Sequence, residues 1–184
     1  MKKQLCHLAI CGLLLLALAS VPATAQIYLG ARGGWTNQDA KAGEIEFDRD
    51  STFFYGAQLG VRFFAFALEG QFYHADHTLF GETSMEDLEQ PMDYNYFGVA
   101  GKLGIPLAII YPYLTVGYGT YSVDLNDIGK ESDWGWNVGA GLEVRLGKLG
   151  IFGEVKYTDF SVVFENLEWD FGGLDLHFGL NIHF

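Results

Sequence analysis

Cysteine is almost absent from the sequence, and proline and basic residues are scarce. The 184 residues include only two cysteines, Cys6 and Cys11, and four prolines. Both cysteines lie within the first 11 positions, so the rest of the chain can form no disulfide and has no thiol chemistry. No proline-rich or low-complexity linker divides the chain, and its length predicts a single domain.

The shortage of basic residues and of long apolar runs argues against two classes of protein, nucleic-acid-binding proteins and proteins with transmembrane helices. The chain has 11 Lys and Arg against 23 Asp and Glu, a net charge of −12. Binding to a nucleic-acid backbone requires clustered Lys and Arg, so no nucleic-acid partner is expected. Beyond the N-terminal segment, no stretch of 18 continuous apolar residues occurs, which argues against a transmembrane helix.

The N-terminal segment has the pattern of a secretory signal peptide. Two lysines precede an apolar run over residues 8–18, and Ala23 and Ala25 form a small-x-small cleavage site. The apolar run is shorter than the roughly 20 residues that a membrane-spanning helix needs. We predict a cleaved signal peptide at 1–25 and a mature domain at 26–184, which has 159 residues. Without the two signal lysines, nine bases face 23 acids, a charge of −14.

The rest of the chain is dominated by alternation of apolar with polar or small residues. A period of two is typical of a β-strand with two unlike faces. Eight such segments are present, at residues 26–36, 51–63, 65–76, 92–105, 111–123, 134–146, 150–162 and 174–184.

The last segment shows the pattern most clearly. One face consists of Leu174, Leu176, Phe178, Leu180, Ile182 and Phe184. The other face consists of Asp175, His177, Gly179, Asn181 and His183. We interpret this segment as the closing strand of a barrel whose apolar face meets lipid.

The connections alternate in length, which is a second signal for a barrel. Tight turns are predicted near 63–64, 106–110 and 147–148, and long loops at 37–50, 77–91, 124–133 and 164–170. Short turns on one side and long loops on the other are typical of outer-membrane barrels. The sequence therefore predicts an all-β fold, an eight-stranded antiparallel up-and-down transmembrane β-barrel. Both termini then lie on the turn side, where the first and last strands can pair.

Aromatic residues are predicted to form girdles at both membrane interfaces. Those at the long-loop end are Trp35, Phe53, Tyr55, Trp134 and Trp136, and those at the turn end are Phe64, Tyr111 and Phe184.

Nine charged residues within the predicted strands occupy the polar face, which indicates a polar lumen. They are Arg32, Arg62, Glu69, Lys102, Glu143, Arg145, Glu154, Lys156 and Asp175. On the lipid face at mid-membrane, each Arg or Lys would cost roughly 2–4 kcal/mol. In the lumen they form either an ion pathway or a packed ion-pair core, and a small barrel favours the core. We expect glycines on the same face to make room for the long charged side chains: Gly34, Gly60, Gly98, Gly117, Gly139, Gly141 and Gly179.

The predicted long loops carry the acidity, since together they account for −13 of the mature charge of −14. They could hold divalent cations that bridge to anionic lipid headgroups, bind a basic surface partner, or simply remain solvated. The Asp124–Gly129 run has the start of a calcium loop, but position 12 is Gly135 and not glutamate. No cofactor or metal site is predicted.

The signal peptide, the opening run from Tyr28 to Trp35, the eight alternating segments and the final Phe184 together carry a family resemblance. The chain resembles the small outer-membrane β-barrel proteins of Gram-negative bacteria, the porin-like, opacity-type and OmpX/OmpA-barrel group. The resemblance implies a location in the cell outer membrane with extracellular loops and periplasmic termini. It also implies that the barrel assembly machinery reads the last strand, with Leu180, Ile182 and Phe184 as the signal.

Four functions remain open at this point. The first is a non-enzymatic barrel with structural, adhesion or partner-binding roles in its acidic loops. The second is a narrow ion or small-solute pore. The third is a lipid A-modifying enzyme. Its candidate catalytic residues are His74 and His77 with Ser51, Ser84 or Ser122, although their spacing matches no known catalytic arrangement. The fourth is a soluble lipocalin-like binder.

Overall fold

The computed structural model describes residues 25–42, 45–47, 51–83, 86–125, 129–164 and 167–184. The predicted signal peptide, apart from Ala25, lies outside the described residues. Nine β-strands make up nearly all of the described chain. In order they are β1 (Gln26–Ala42), β2 (Ile45–Phe47), β3 (Thr52–Phe63), β4 (Phe66–Thr83), β5 (Glu86–Gly104), β6 (Ile110–Leu125), β7 (Gly129–Leu146), β8 (Leu149–Phe164) and β9 (Leu167–His183).

The sheet closes on itself. From β3 to β9 each strand pairs antiparallel with the next, and β1 pairs with β3 on one side and with β9 on the other. The β1–β9 ladder runs from Tyr28 opposite His183 to Ala42 opposite Trp169. The short β2 pairs with residues 40–42 of β1, and β3 pairs with residues 26–36 on the same side of β1. These two strands therefore share one position, and the wall has eight strand positions. The predicted eight-stranded antiparallel barrel is confirmed.

The period of two along each strand determines which side chains enter the barrel. On β9, Leu174, Leu176 and Leu180 are exposed on the outer face, whereas His177 and Asn181 are buried inside. The outer face is thus a continuous apolar surface and the interior is polar and aromatic, because neighbouring Cβ atoms of a strand point to opposite faces.

Three tight connections lie at one end, as predicted. Residues 64–65 link β3 to β4, and residues 147–148 link β7 to β8. Phe64 has φ 49° and Gly147 has φ 65°, and in the β5–β6 connection Ala108 has φ 51°. We refer to this end as the turn end and to the opposite end as the hairpin end.

The prediction of long loops was wrong over most of the part that the structure describes, because these segments are β-strand there. The β4–β5 ladder continues to Thr83 opposite Glu86, through most of the predicted loop 77–91. The β6–β7 ladder likewise continues to Leu125 opposite Gly129, and the β8–β9 ladder to Phe164 opposite Leu167. These strand ends were not predicted because their sequence is polar and lacks the alternation of apolar residues. Beyond the apolar band a two-stranded ladder has no lipid-facing side, so its sequence is not required to alternate. The backbone hydrogen bonds of the ladder continue beyond that band.

Two predictions about the interior of the barrel were also wrong, one for Tyr111 and one for most of the inward glycines. Tyr111, predicted in the turn-end girdle, is buried and faces inward. The inward glycines mostly accommodate rings and amides rather than charged side chains. A Cβ on Gly60 would meet Tyr28, one on Gly141 would meet Tyr113, and one on Gly117 would meet Asn137. Of the seven glycines, Gly139 is the one where a charged side chain, Lys156, lies against that position.

Within the described residues, no helix is long and apolar enough to cross a membrane.

Candidate functional site

Eight of the nine predicted lumen charges are buried inside the barrel: Arg32, Arg62, Glu69, Lys102, Glu143, Glu154, Lys156 and Asp175. The ninth, Arg145, also faces inward but lies at the turn end, where a quarter of its side chain is exposed. The nine residues come from seven strands, and eight of them form two ion clusters.

The central cluster joins two carboxylates and three cations. Glu154 Oε1 lies 3.1 Å from Arg32 Nη2 and 3.1 Å from Lys156 Nζ. Glu154 Oε2 lies 3.3 Å from Lys102 Nζ, which also contacts Glu69 Oε2 at 3.0 Å. Arg32 Nη1 lies 3.6 Å from Glu69 Oε1. These side chains are almost completely shielded from solvent, so they interact with each other rather than with water.

Neutral groups add further hydrogen bonds to the central cluster. The Tyr28 hydroxyl donates to Glu69 Oε2 at 2.8 Å, and Gln71 Nε2 donates to Glu69 Oε1 at 2.6 Å. Lys156 Nζ donates to Gln71 Oε1 at 2.9 Å. Lys102 Nζ also lies 4.6 Å from the centre of the Tyr113 ring, a cation–π contact. The interior is therefore crosslinked across the barrel axis.

The turn-end cluster is centred on Glu143. Arg62 binds it through two hydrogen bonds of 2.8 and 3.0 Å, and Asn181 donates to Oε2 at 2.8 Å. Arg145 Nε lies 3.6 Å from Oε1 and His183 Nε2 lies 3.3 Å from it. The Arg62 guanidinium also stacks 4.0 Å from the centre of the Tyr111 ring. A two-pronged Arg–carboxylate pair fixes geometry as well as charge.

Asp175 lies nearer the hairpin end, where it accepts a hydrogen bond of 2.6 Å from the Thr158 hydroxyl. Beyond it, the lumen is filled by an aromatic plug, which the sequence reading missed. The plug contains Phe54, Tyr73, Tyr94, Tyr96, Tyr121, Phe160 and Phe171. The rings of Tyr121 and Phe160 stack with centroids 4.3 Å apart, and those of Phe160 and Phe171 with centroids 4.8 Å apart.

A sequence signal for the plug was present. Phe54 alternates with the outward Phe53 and Tyr55, and Phe160 continues the inward face of β8 beyond Thr158. The face assigned as polar becomes aromatic towards the hairpin end. The described lumen is thus occupied by the ion clusters towards the turn end and by stacked rings towards the hairpin end.

His74, near the hairpin end, contacts two polar neighbours on the outer wall. His74 Nδ1 lies 2.9 Å from Asn95 Oδ1, and His74 Nε2 lies 2.9 Å from Asp76 Oδ1. Ser122, one of the serines considered for catalysis, is hydrogen-bonded to Ser132 at 2.7 Å. The side chain of His77 and the whole of Ser84 lie outside the described residues. No serine contacts His74 in the described part of the chain.

Three carboxylates stand side by side on the outer wall just above these polar groups. Asp76 of β4 is opposite Asp93 of β5, which is opposite Asp124 of β6, and Asp124 is opposite Lys130 of β7. We call the three aspartates the acidic row. Asp76 is 73% exposed, and Asp93 is exposed as well. Like charges directly opposite on adjacent strands are destabilising, so the acidic row is not explained by sheet stability.

The level of the acidic row marks the upper edge of the apolar surface. Four residues nearer the turn end, the outward row is Phe72, Phe97, Thr120 and Trp134. From Phe66 to Asp76 the strand advances ten residues. At about 3.3 Å per residue and a tilt near 40°, this is about 25 Å, the height of the apolar band of a membrane barrel. The acidic row thus lies at the edge of that band.

The described residues contain no group of three or more His, Cys, Asp or Glu side chains that could hold a metal ion. They therefore do not support a binding site for divalent cations.

Comparisons with known proteins agree on the architecture. A family model described as "Outer membrane protein beta-barrel domain" matches residues 11–184. Neisserial surface protein A is 13% identical, with a TM-score of 0.63 over 86% of this chain and 97% of that one. The outer membrane protein OprG from Pseudomonas aeruginosa is also 13% identical, with a TM-score of 0.59 over 88% and 96%. At this identity the likeness is one of fold. The comparison with curated proteins found no match.

Proposed function

Since the chain belongs to the family of outer-membrane protein β-barrel domains, we propose that it is a non-enzymatic surface barrel that binds a basic partner at its hairpin end. The binding surface would be the acidic row together with the acidic residues of the extended hairpins. The partner class is a Lys- or Arg-rich protein or peptide surface.

The observation that carries this proposal is the cross-strand alignment of Asp76, Asp93 and Asp124. Three aligned carboxylates raise the local negative potential, and their mutual repulsion is relieved when a cation-rich surface approaches. The three carboxylates lie on hydrogen-bonded strands rather than on irregular loops. The surface is thereby preformed, and little ordering entropy opposes binding.

The filled lumen supports a surface role over the pore alternative. Arg32, Glu69 and Glu154 form ion pairs whose side chains have no solvent exposure, and the aromatic plug lies beyond them. A permeating ion would have to displace those pairs, at the cost of leaving buried charges without partners.

The proposal includes an orientation, with the hairpin end outside the cell and the turn end in the periplasm. Outer-membrane barrels have short periplasmic turns and longer extracellular connections. The apolar outer wall would be in contact with the lipids of the outer membrane. Leu180, Ile182 and Phe184 are exposed on that wall in β9 and at its end, and we propose that the barrel assembly machinery recognises them there.

The test is binding of a decalysine peptide to the refolded barrel. Asp76→Asn, Asp93→Asn and Asp124→Asn are combined in one variant. A control variant combines Glu131→Gln, Asp159→Asn and Asp170→Asn, which removes the same charge elsewhere on β7, β8 and β9. Biosensor titrations are run in zwitterionic detergent at low and moderate salt.

We expect the acidic-row variant to lose about tenfold or more in affinity, because several close charge pairs with the peptide are removed. The control is expected to lose clearly less. An equal loss in both variants would mean that net charge alone attracts the peptide, and it would refute a defined binding surface.

A further inference from the structure

The turn end of the barrel contains a cavity of about 360 Å³. We call it the turn-end cavity. Its polar side is formed by Gln26, Arg62, Tyr111 and Arg145, which face the lumen axis. Its apolar side includes Phe64 of the β3–β4 turn and Ile109 of the β5–β6 connection. One side of the cavity can therefore hold a polar group and the other an apolar one.

Cationic charge exceeds anionic charge at the polar side. Arg62 and Arg145 share one carboxylate, that of Glu143. Both oxygens of Glu143 are bound by Arg62, while Arg145 contacts one of them at the longer distance of 3.6 Å. Arg145 donates its Nη1 hydrogen bond to the neutral Gln26 Oε1 at 2.7 Å and is partly exposed. One positive charge is thus left over in an otherwise acidic chain, and an anion would balance it.

The backbone around the cavity is in an uncommon conformation. Phe64 has φ 49° and Ala108 has φ 51°, and no other residue except glycine has positive φ in the part of the chain that the structure describes. Both residues line the turn-end cavity. A positive φ is disfavoured for residues with a Cβ, especially bulky ones, and such residues cluster at ligand clamps. The two turns fix the positions of Phe64 and Ala108 at the cavity.

We propose that the turn-end cavity binds the phosphate of a phospholipid headgroup. Arg145 donates to the phosphate oxygens, with the guanidinium of Arg62 behind it. The glycerol and the first carbons of the acyl chains lie against Phe64 and Ile109.

A lipid fits better than a free phosphate ion because of where the apolar side lies. Phe64 is 81% exposed and Ile109 is 56% exposed, at the end of the apolar outer wall. A membrane lipid can cover these side chains while its headgroup reaches Arg145, whereas inorganic phosphate leaves them in water. Burial of the two side chains would therefore add to the affinity for the lipid alone.

The test compares short-chain dihexanoylphosphatidylglycerol, inorganic phosphate and dihexanoylglycerol in titrations of the refolded chain in zwitterionic detergent. Backbone and arginine side-chain NMR resonances report where each compound binds. We expect saturable binding of the phosphatidylglycerol with shifts at Arg62 and Arg145, weaker binding of phosphate at the same residues, and no binding of the diacylglycerol.

Two variants separate a built site from general charge attraction. Arg145→Gln removes the proposed donor, and Lys148→Gln removes the same charge at the same end but outside the cavity lining. Arg145→Gln is expected to weaken phosphatidylglycerol binding about tenfold or more, and Lys148→Gln to leave it nearly unchanged. Equal affinities in Arg145→Gln and the unmodified chain, or equal losses in both variants, would overturn the proposal. A heat-dependent gel-mobility shift verifies that each variant is folded.

Phe64→Gly tests the apolar side and the backbone conformation together. Glycine adopts positive φ without steric cost, so we expect the barrel to stay folded with an unchanged or higher thermal midpoint. Affinity for the phosphatidylglycerol should fall about fivefold, while affinity for inorganic phosphate stays the same. Phosphatidylglycerol binding as tight as in the unmodified chain, or inorganic phosphate binding as tightly as the lipid, would refute the assignment to a lipid.

Discussion

The ring of Tyr28 occupies the space that a Cβ on Gly60 would need. The two residues are opposite each other on β1 and β3, and the Tyr28 hydroxyl continues past Gly60 to donate to Glu69. The glycine is thus required for an aromatic crossing that reaches the central ion cluster. The same relationship recurs between Tyr113 and Gly141.

Gly60→Ala is therefore expected to destabilise the barrel by about 1–3 kcal/mol, because the methyl group forces the Tyr28 ring from its place. Urea unfolding of the refolded chain, followed by tryptophan fluorescence, measures the change. Gly153→Ala is the matched control, since no atom lies within 4 Å of a Cβ at that position. If both variants unfold at the same urea concentration, the close fit of Tyr28 on Gly60 is not required.

Glu143→Gln is expected to destabilise the barrel by about 3–5 kcal/mol, because Arg62 keeps its buried charge and loses its carboxylate partner. The double variant Arg62→Met, Glu143→Leu removes both charges and should recover most of the loss. Urea unfolding again provides the measurement. A double variant as unstable as Glu143→Gln would show that the pair matters for more than mutual neutralisation.

The refolded chain is expected to be silent in a planar lipid bilayer, because the two ion clusters and the aromatic plug fill the described lumen. The measurement is ion current across salt concentrations, with a large-pore porin as the positive control. Steady, salt-dependent current from the folded barrel would contradict the surface role and restore the pore hypothesis.

Single-cysteine labelling tests the proposed orientation. After residue 11 the sequence has no cysteine, so Asp76→Cys and Lys148→Cys each introduce one thiol at opposite ends of the barrel. A membrane-impermeant maleimide added to intact cells should label Asp76→Cys and not Lys148→Cys, and both should react after the cells are opened. The reverse pattern on intact cells would place the turn end outside.

Much of the architecture could be predicted from single strands. The alternation over residues 174–184 identified the inward His177 and Asn181 and the outward Leu176 and Leu180, and the structure has the same faces. Tyr111 was misplaced because an aromatic residue at a strand end suits a girdle as well as a lumen. The hairpin extensions were missed because their residues have no apolar face to reveal the period.

The sequence by itself determined the number of strand positions, their faces and the class of barrel, because a period of two is a local property that needs no knowledge of neighbours. Only the tertiary structure decided which groups meet. Arg62 and Glu143 are 81 residues apart, and Arg32 and Glu154 are 122 apart. Closing the barrel sets the register and brings them together across the axis. The acidic row depends on the same register, since a shift of one residue would turn each aspartate towards the lumen.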